Sequence, residues 1–555
     1  AAPETLRLGD PLPKGDPHAV SVHLPRWEDN VGWAERDPAV LGAMTTGYPR
    51  FFIPRAVTKL GERFLAGVRH ETQAEFSAYP FASASHALLF ALHIWGKEPT
   101  TSAPDNTIRL YLFQCLQGAT LVSLFRVTEV VDDLLSSGEE HLFFVTFPSQ
   151  WITEARKFVQ HTGYGISSRR AMLWDSTCCF TEVFNKMPQT QDGFLQDPKH
   201  AEDTLRWRIA ACVCGECNSS ATENPEILAV DPSKDVYLYP TGMAAIGGAI
   251  RIVTEDIEKP RVAVVGFLYL DTIKLLQMIL GEEQVTIFSF DDIDTLEKQL
   301  QLGVRYEAVF TEFPGNPLLQ CPDLSRLRNL SLTFNFYLVV DDTIGTSAAL
   351  NLLDECDIIC TSLTKMFSGG CNVMGGSTMT NPNNTKERLN LLRTRFESSL
   401  LDMEAYFDED IIVMERNSRD FVDRVLKASQ NAEAMLELFK ASPAVKNVSY
   451  PKGSKTQDIY DRYKKDGAGY GFLMSIEFYT DKQAMAFYDN FDVAKGPSLG
   501  TNFTLCCPYS ILAHYREQEW AASHGVVPHL VRISFGLEDN TWLEERVLNA
   551  LSVAE

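Results

Sequence analysis

Hydrophobic and polar positions divide the 555-residue chain into stretches of different texture. Residues 1–60 are rich in Pro, Gly and Asp, carry no sustained period, and read as an extended arm. From 61 to 230 the apolar positions predict a helix-rich segment, including the Leu/Phe/Val-rich run Leu110–Leu135, broken by polar loops at Gly96–Asn106 and Met187–Lys199. Between Val236 and Met379 the pattern changes. Short β-branched runs predict strands at Val262–Val265, Ala308–Thr311, Tyr337–Val340 and Ile358–Cys360, and amphipathic helical segments separate them. Such alternation predicts a mostly parallel sheet covered by helices on both faces. Beyond Asn381 the predicted helices lengthen (Asn383–Ser399, Ser418–Phe439), and strand-like runs at Gly471–Phe478 and Val531–Phe535 complete a smaller α+β domain. The predicted boundaries are an arm at 1–60, the helix-rich segment at 61–230, an α/β domain at 231–395 and the C-terminal domain at 396–555.

Composition narrows the function classes. No run approaches the ~20 apolar residues that a membrane span requires, and no basic-then-apolar leader opens the sequence, so a cytoplasmic protein without a membrane partner is expected. A net charge of −23 disfavours nucleic acid, because a phosphate backbone repels an acidic surface. Twelve cysteines in 555 residues are too few for a disulfide scaffold. Cys212, Cys214 and Cys217 cluster, but no second ligand pair follows, and no metal site is expected.

Chemistry gathers at the carboxyl ends of the predicted strands, where open α/β sheets hold their ligands. Tyr239-Pro240-Thr241-Gly242-Met243 precedes a Gly/Ala-rich helix whose N-terminal amides suit a phosphate. Asp341 closes an apolar run and needs a cationic partner or a metal. Lys365 follows Thr361-Ser362-Leu363-Thr364, flanked by hydroxyls. Singly, these also read as a solvated loop lysine and a helix-capping aspartate. Together they supply a Schiff-base lysine, an acid for a pyridine nitrogen and a phosphate cradle, the needs of pyridoxal 5′-phosphate (PLP).

In these blocks the chain resembles the cystathionine γ-synthase family of fold-type-I, Cys/Met-metabolism PLP enzymes, and its long fungal members most. The resemblance covers 230–555 and the arm. It implies amides of Gly242 and Met243 on the phosphate together with Ser362 and Thr364, and Tyr269 stacked on the pyridine ring and able to assist as an acid. It further implies Asn316, in Glu312-Phe313-Pro314-Gly315-Asn316-Pro317, on the phenolic oxygen, Asp341 on the pyridinium nitrogen, and Lys365 as Schiff base and catalytic base. Arg532, in Val531-Arg532-Ile533-Ser534-Phe535, and Ser498 match contacts to the substrate carboxylate, with Asn316 beside them. Tyr48 and Arg50 match a Tyr-x-Arg that reaches the phosphate of a neighbouring subunit, which implies a homodimer with composite sites, commonly doubled to a tetramer.

The implied reaction is γ-substitution on an O-acyl-L-homoserine, with O-acetyl the expected acyl group. The nucleophile is either the thiol of cysteine or a carbon nucleophile such as the enolate of a β-keto acid or ester. A γ- or β-lyase would use the same cofactor residues, whereas a non-catalytic homologue would be expected to lose Lys365 or Asp341. The chain departs from the short bacterial members at 61–230, which is assigned no catalytic role. It also departs at Ser368-Gly369-Gly370-Cys371-Asn372 and at Phe503, where a Glu thought to hold the distal amino acid stands in those members. Gly370 and Phe503 are expected to make the entry of the second substrate less polar.

Overall fold

The computed structural model describes residues 6–69, 75–97, 108–114, 118–122, 140–177, 197–216, 228–399 and 405–555. At its centre lies a seven-stranded sheet in the order Val236–Tyr239, Gly376–Thr380, Ile358–Ser362, Tyr337–Asp341, Ala308–Glu312, Val262–Val265, Val285–Phe288. Six of these strands run in the same direction. Gly376–Thr380 is antiparallel to both of its neighbours. The predicted strands are here, each within one or two residues of its expected end, because a β-branched apolar run covered on both faces has few other ways to bury itself. A five-stranded C-terminal sheet follows, carrying Leu473–Phe478 and Val531–Ser534 side by side.

Two expectations from sequence are corrected. Within the segment expected to be helix-rich lies a four-stranded antiparallel sheet, ordered Phe76–Phe81, His141–Pro148, Arg109–Gln114, Gly118–Val122. The start of the Leu110–Leu135 run is therefore a hairpin, Leu110 pairing with Val122; residues 123–135 lie outside the described residues. Alternation accounts for the difference: Tyr111 and Phe113 pack against Phe64, Leu142, Phe144 and Trp174, while Leu110 and Leu112 enter the opposite core with Phe90 and Phe147. Both faces are buried, so the sequence shows a continuous apolar run with no readable period.

The arm is also more ordered than an extended segment. It carries helices at Trp27–Glu35 and Pro38–Ala43, and Arg55–Arg69 follows as a third. It is tied to its own chain: the amide of Val20 donates to the Cys371 carbonyl (2.8 Å) and that of Leu24 to the Lys495 carbonyl (2.8 Å). Among the described residues no helix is long and apolar enough to cross a membrane, and no His/Cys/Asp/Glu group has metal-binding geometry. Cys217 of the cysteine cluster lies outside the described residues.

Candidate active site

The strand Val236–Tyr239 delivers the chain to Thr241, whose side chain caps the helix Gly242–Thr254 by accepting from the amide of Ala244 (3.0 Å). The first backbone bond of that helix runs from Ala245 to Thr241, so the amides of Gly242 and Met243 precede the intrahelical ladder and face the cleft. Gly242 is required by proximity, since a Cβ there would sit 2.7 Å from that of Ser362. Ser362 itself ends the strand Ile358–Ser362 and donates its amide to the Thr343 hydroxyl (2.8 Å). Thr364 exchanges hydrogen bonds with the backbone of Gly375 (3.1 and 3.3 Å).

Lys365 follows in the turn after that strand. Its Nζ donates to Ser498 Oγ (3.0 Å) and lies 4.2 Å from the centroid of the Tyr48 ring. Burial lowers its pKa, with the charges of Arg50 and Arg532 acting the same way and Tyr48 opposing them. Burial would raise the Tyr48 phenol, but Arg50 and Lys365 overcome it and bring Tyr48 down to about 8.

Opposite Lys365, Arg532 donates to Asn316 Oδ1 (3.0 Å) and to the Ser498 carbonyl (2.8 Å), with its guanidinium 5.0 Å from the Tyr509 ring. Asp341 ends the strand Tyr337–Asp341, accepts from the Thr343 amide (2.9 Å), and has its pKa raised by burial. Tyr269 precedes the helix Leu270–Leu280; its hydroxyl accepts from Arg50 Nη2 (2.6 Å). All twelve residues singled out from sequence (Tyr48, Arg50, Gly242, Met243, Tyr269, Asn316, Asp341, Ser362, Thr364, Lys365, Ser498 and Arg532) line one cleft of about 1010 Å³, its open mouth included.

Four further residues were not recognised from sequence. Glu312 accepts from the amides of Tyr269 (2.6 Å) and Asn316 (3.2 Å), holding both in register; burial, then the neighbouring Asp341, pushes it up to about 8. Asp271 binds Arg50 Nη1 (2.8 Å); its burial opposes ionisation, but Arg50 and then His161 hold it at about 2. Gln160 and His161, from the segment assigned no role, both reach Asp271 Oδ1 (3.1 and 2.9 Å). Asp271 was visible as an acid close behind Tyr269 in the sequence, whereas nothing local marks Gln160 or His161. Two expected residues are misplaced. Gly370 and Phe503 do not line the cleft, because residues 369 and 502–504 are tied by backbone bonds to each other and to the 536–538 loop. Its apolar wall is built instead by Phe51, Ile344, Met374, Leu499, Leu512 and Ala513.

Residues 218–552 match the model of the Cys/Met metabolism PLP-dependent enzyme family. The chain belongs to that family. Among its relatives, a cystathionine gamma-synthase of Neurospora crassa is 35% identical over 99% of both chains. A cystathionine gamma-synthase-like protein of Aspergillus thermomutatus is 36% identical over 99% of this chain and 95% of its own. The fold is that of a Campylobacter jejuni protein solved with N′-pyridoxyl-lysine-5′-monophosphate: TM-score 0.55, 21% identity, 63% of this chain and 86% of that one.

The family makes this a PLP-dependent enzyme of the transferase/lyase class, and the cleft fits the cofactor. Asp341 is a half-buried carboxylate that accepts from Thr343, and a protonated pyridine nitrogen would supply its counter-charge. Lys365 is a half-buried amine whose surroundings favour its neutral, nucleophilic form. The open helix N-terminus beside Ser362 suits a phosphate dianion.

Proposed function

We propose that the enzyme catalyses γ-substitution on an O-acyl-L-homoserine, O-acetyl-L-homoserine being the expected form, and that a weakly polar carbon nucleophile, such as the enolate of a β-keto acid or ester, attacks Cγ. The observation that carries the reading is that Lys365 Nζ and the Arg532 guanidinium line one cleft and are linked through Ser498, which accepts from the first through Oγ and from the second through its carbonyl. A planar guanidinium suits an α-carboxylate, and a substrate clamped there presents its α-carbon toward Lys365. Bound PLP supplies an electron sink for the pair released when a C–H bond at the substrate breaks.

The roles assigned to the chain follow from its chemistry. The Gly242 and Met243 amides, Ser362 and Thr364 would hold the phosphate, Asp341 would keep the pyridine nitrogen protonated, Tyr269 would stack on the ring, and Asn316 would bond the phenolic oxygen. Lys365 would carry the cofactor, and its amine is assigned the proton transfers at Cα and then Cβ of the substrate, which let the γ-acyloxy group leave. An amine depressed by burial is the base such repeated transfers require. Tyr48, brought to about 8 beside it, can hold or return a proton near neutral pH.

The apolar wall supports the carbon nucleophile over cysteine. Arg50, Lys365 and Arg532 are the cationic lining residues; Arg50 is engaged by Asp271 and Tyr269, and Arg532 is assigned to the first substrate. A second amino acid would bring an unmatched carboxylate against Leu499, Leu512 and Ala513, with the penalty of its desolvation. Supplying O-acetyl-L-homoserine with either cysteine or acetoacetate, and identifying products by mass, tests the reading. A carbon–carbon adduct is expected. Cystathionine alone would overturn the choice of nucleophile, and 2-oxobutyrate alone would make the enzyme a lyase. Lys365→Ala should abolish both turnover and the visible absorbance of bound cofactor; retention of full activity would refute the role of Lys365.

A further inference from the structure

The inserted segment 61–230 packs Phe158 and Tyr164 into one core with Met243, Ile246 and Ile250 of the helix Gly242–Thr254. Another wall of the cleft has a different origin. Between the strands Leu505–Pro508 and Val531–Ser534, which pair in the C-terminal sheet, residues 509–530 leave the sheet and return to it. The base of this excursion is closed by the Tyr509 amide on the Leu530 carbonyl (2.9 Å) and by Ser510 Oγ on the Val527 carbonyl (2.6 Å). Stacking holds it from outside: Trp520 lies on Phe267 with ring centroids 5.1 Å apart, and His514 and His524 approach those two rings at 4.7–5.8 Å. Phe267 stands just before Tyr269, so the cluster ties the excursion to the loop that carries Tyr269.

The excursion opens with a short helix, Tyr509–His514. Positions i, i+3 and i+4 of a helix share a face, and Tyr509, Leu512 and Ala513 all line the cleft. His514, one position on, sits in the aromatic cluster and is fully buried. Its Nε2 stands 3.3 Å from the Tyr509 hydroxyl, and its Nδ1 has no partner among the described residues. Burial brings this imidazole down to about 4, so it is neutral near pH 7, and lifts the Tyr509 phenol above its ordinary range. A neutral imidazole carries one N–H. On Nδ1 it would be a buried donor without an acceptor; on Nε2 it meets the Tyr509 oxygen and leaves the phenolic proton for another partner. The Tyr509 ring also lies 5.0 Å from the Arg532 guanidinium, so whatever binds the hydroxyl stands beside the group assigned to the first substrate.

We propose that Tyr509, Leu512 and Ala513 form the subsite for the second substrate, the Tyr509 hydroxyl donating to a keto oxygen of the acceptor while Leu512 and Ala513 cover its alkyl portion. His514 is a positioning residue, acting through Tyr509. The inference rests on the carbon-nucleophile reading above and names the residues that would select that nucleophile. A β-keto ester offers the carbonyl oxygen and the apolar body that this helix face matches.

Steady-state kinetics of the PLP-loaded enzyme with O-acetyl-L-homoserine and ethyl acetoacetate test the subsite. Tyr509→Phe keeps the ring against Arg532 and removes the donor. It should raise the KM of the acceptor about tenfold, the worth of one hydrogen bond, and that of O-acetyl-L-homoserine far less. His514→Ala should act in the same direction, and adding it to Tyr509→Phe should raise the acceptor KM no further, because His514 works through that hydroxyl. Ala513→Leu narrows the same face without altering the Tyr509–His514 pair; it should also raise the acceptor KM, and it replaces Tyr509→Phe should that variant misfold. An unchanged acceptor KM, or an equal rise for both substrates, overturns the subsite. Additive effects of His514→Ala and Tyr509→Phe overturn the role of His514. A wild type that releases acetate but forms no carbon–carbon adduct would instead overturn the choice of nucleophile and the subsite with it, and one that releases no acetate would overturn γ-substitution itself.

Discussion

Replacing Gly163 by alanine tests whether the insertion truly supports the phosphate-binding helix. Gly163 has φ +70°, a left-handed conformation that costs an L-residue about 1–2 kcal/mol. Its new Cβ would stand 3.0 Å from Met243 Cβ and overlap the Thr241 hydroxyl. Thr241 must then move, giving up its cap on the Ala244 amide, a loss of about 0.5–2 kcal/mol. The sum is about 1.5–4 kcal/mol, concentrated at the N-terminus that carries the Gly242 and Met243 amides. Cofactor release, followed by visible absorbance after dilution into buffer with a PLP trap, should accelerate, and the melting temperature should fall. Gly165→Ala separates strain from collision: φ there is +129°, but nothing lies within 4 Å of an added Cβ. That control should lower stability and leave cofactor release unchanged. Equal release from wild type, Gly163→Ala and Gly165→Ala would refute the coupling.

Two titrations follow from the same cleft. Asp271, held at about 2 against an ordinary 3.8, prefers to be ionised in the folded state, so its contribution is fully present above pH 3.8 and is lost as pH falls through about 2. The shift corresponds to about 2 kcal/mol, and the stability gap between wild type and Asp271→Asn should narrow on acidification from pH 5 to pH 2; a gap independent of pH would contradict the ion pair with Arg50. Glu312 has the opposite sign: raised to about 8 from 4.5, it prefers to be protonated when folded, so the cofactor-free protein should lose stability as pH rises between those values. Glu312→Gln should flatten that slope in thermal melts of the cofactor-free protein, and an unchanged slope would place the buried proton elsewhere.

Legibility in the sequence tracked physical locality. Strands such as Val262–Val265 and Ile358–Ser362 declared themselves because a short β-branched run between turn signals has one favourable home, the middle of a covered sheet. Gly242, Met243, Asp341, Ser362, Thr364 and Lys365 could be picked out at strand ends as a set, whereas Tyr48, Arg50, Tyr269, Asn316, Ser498 and Arg532 came only through the resemblance; all twelve line the cleft. Arg109–Gln114 misled because both its faces are buried, and burial without alternation erases the period that separates strand from helix. Gln160 and His161 were invisible for another reason. They act on Asp271 from about 110 residues away, and no spacing rule connects them. Phe503 was misjudged because its position in a matched block said nothing of the backbone ties that turn residues 502–504 away from the cleft.

The core shared by the insertion and the helix Gly242–Thr254 has a consequence for anyone wishing to shorten this protein. The Campylobacter jejuni structure covers 63% of the chain, which invites the thought that the remainder is a removable appendage. It is not. Excising residues 61–230 would strip Phe158 and Tyr164 from Met243, Ile246 and Ile250 and leave that helix face wet. At ~25 cal/mol per Å² of apolar surface, even a few such side chains cost several kcal/mol, comparable to the whole stability of many domains. A trimmed version would need new polar residues along that face before it could remain in solution, much as the ends of a repeat protein need caps.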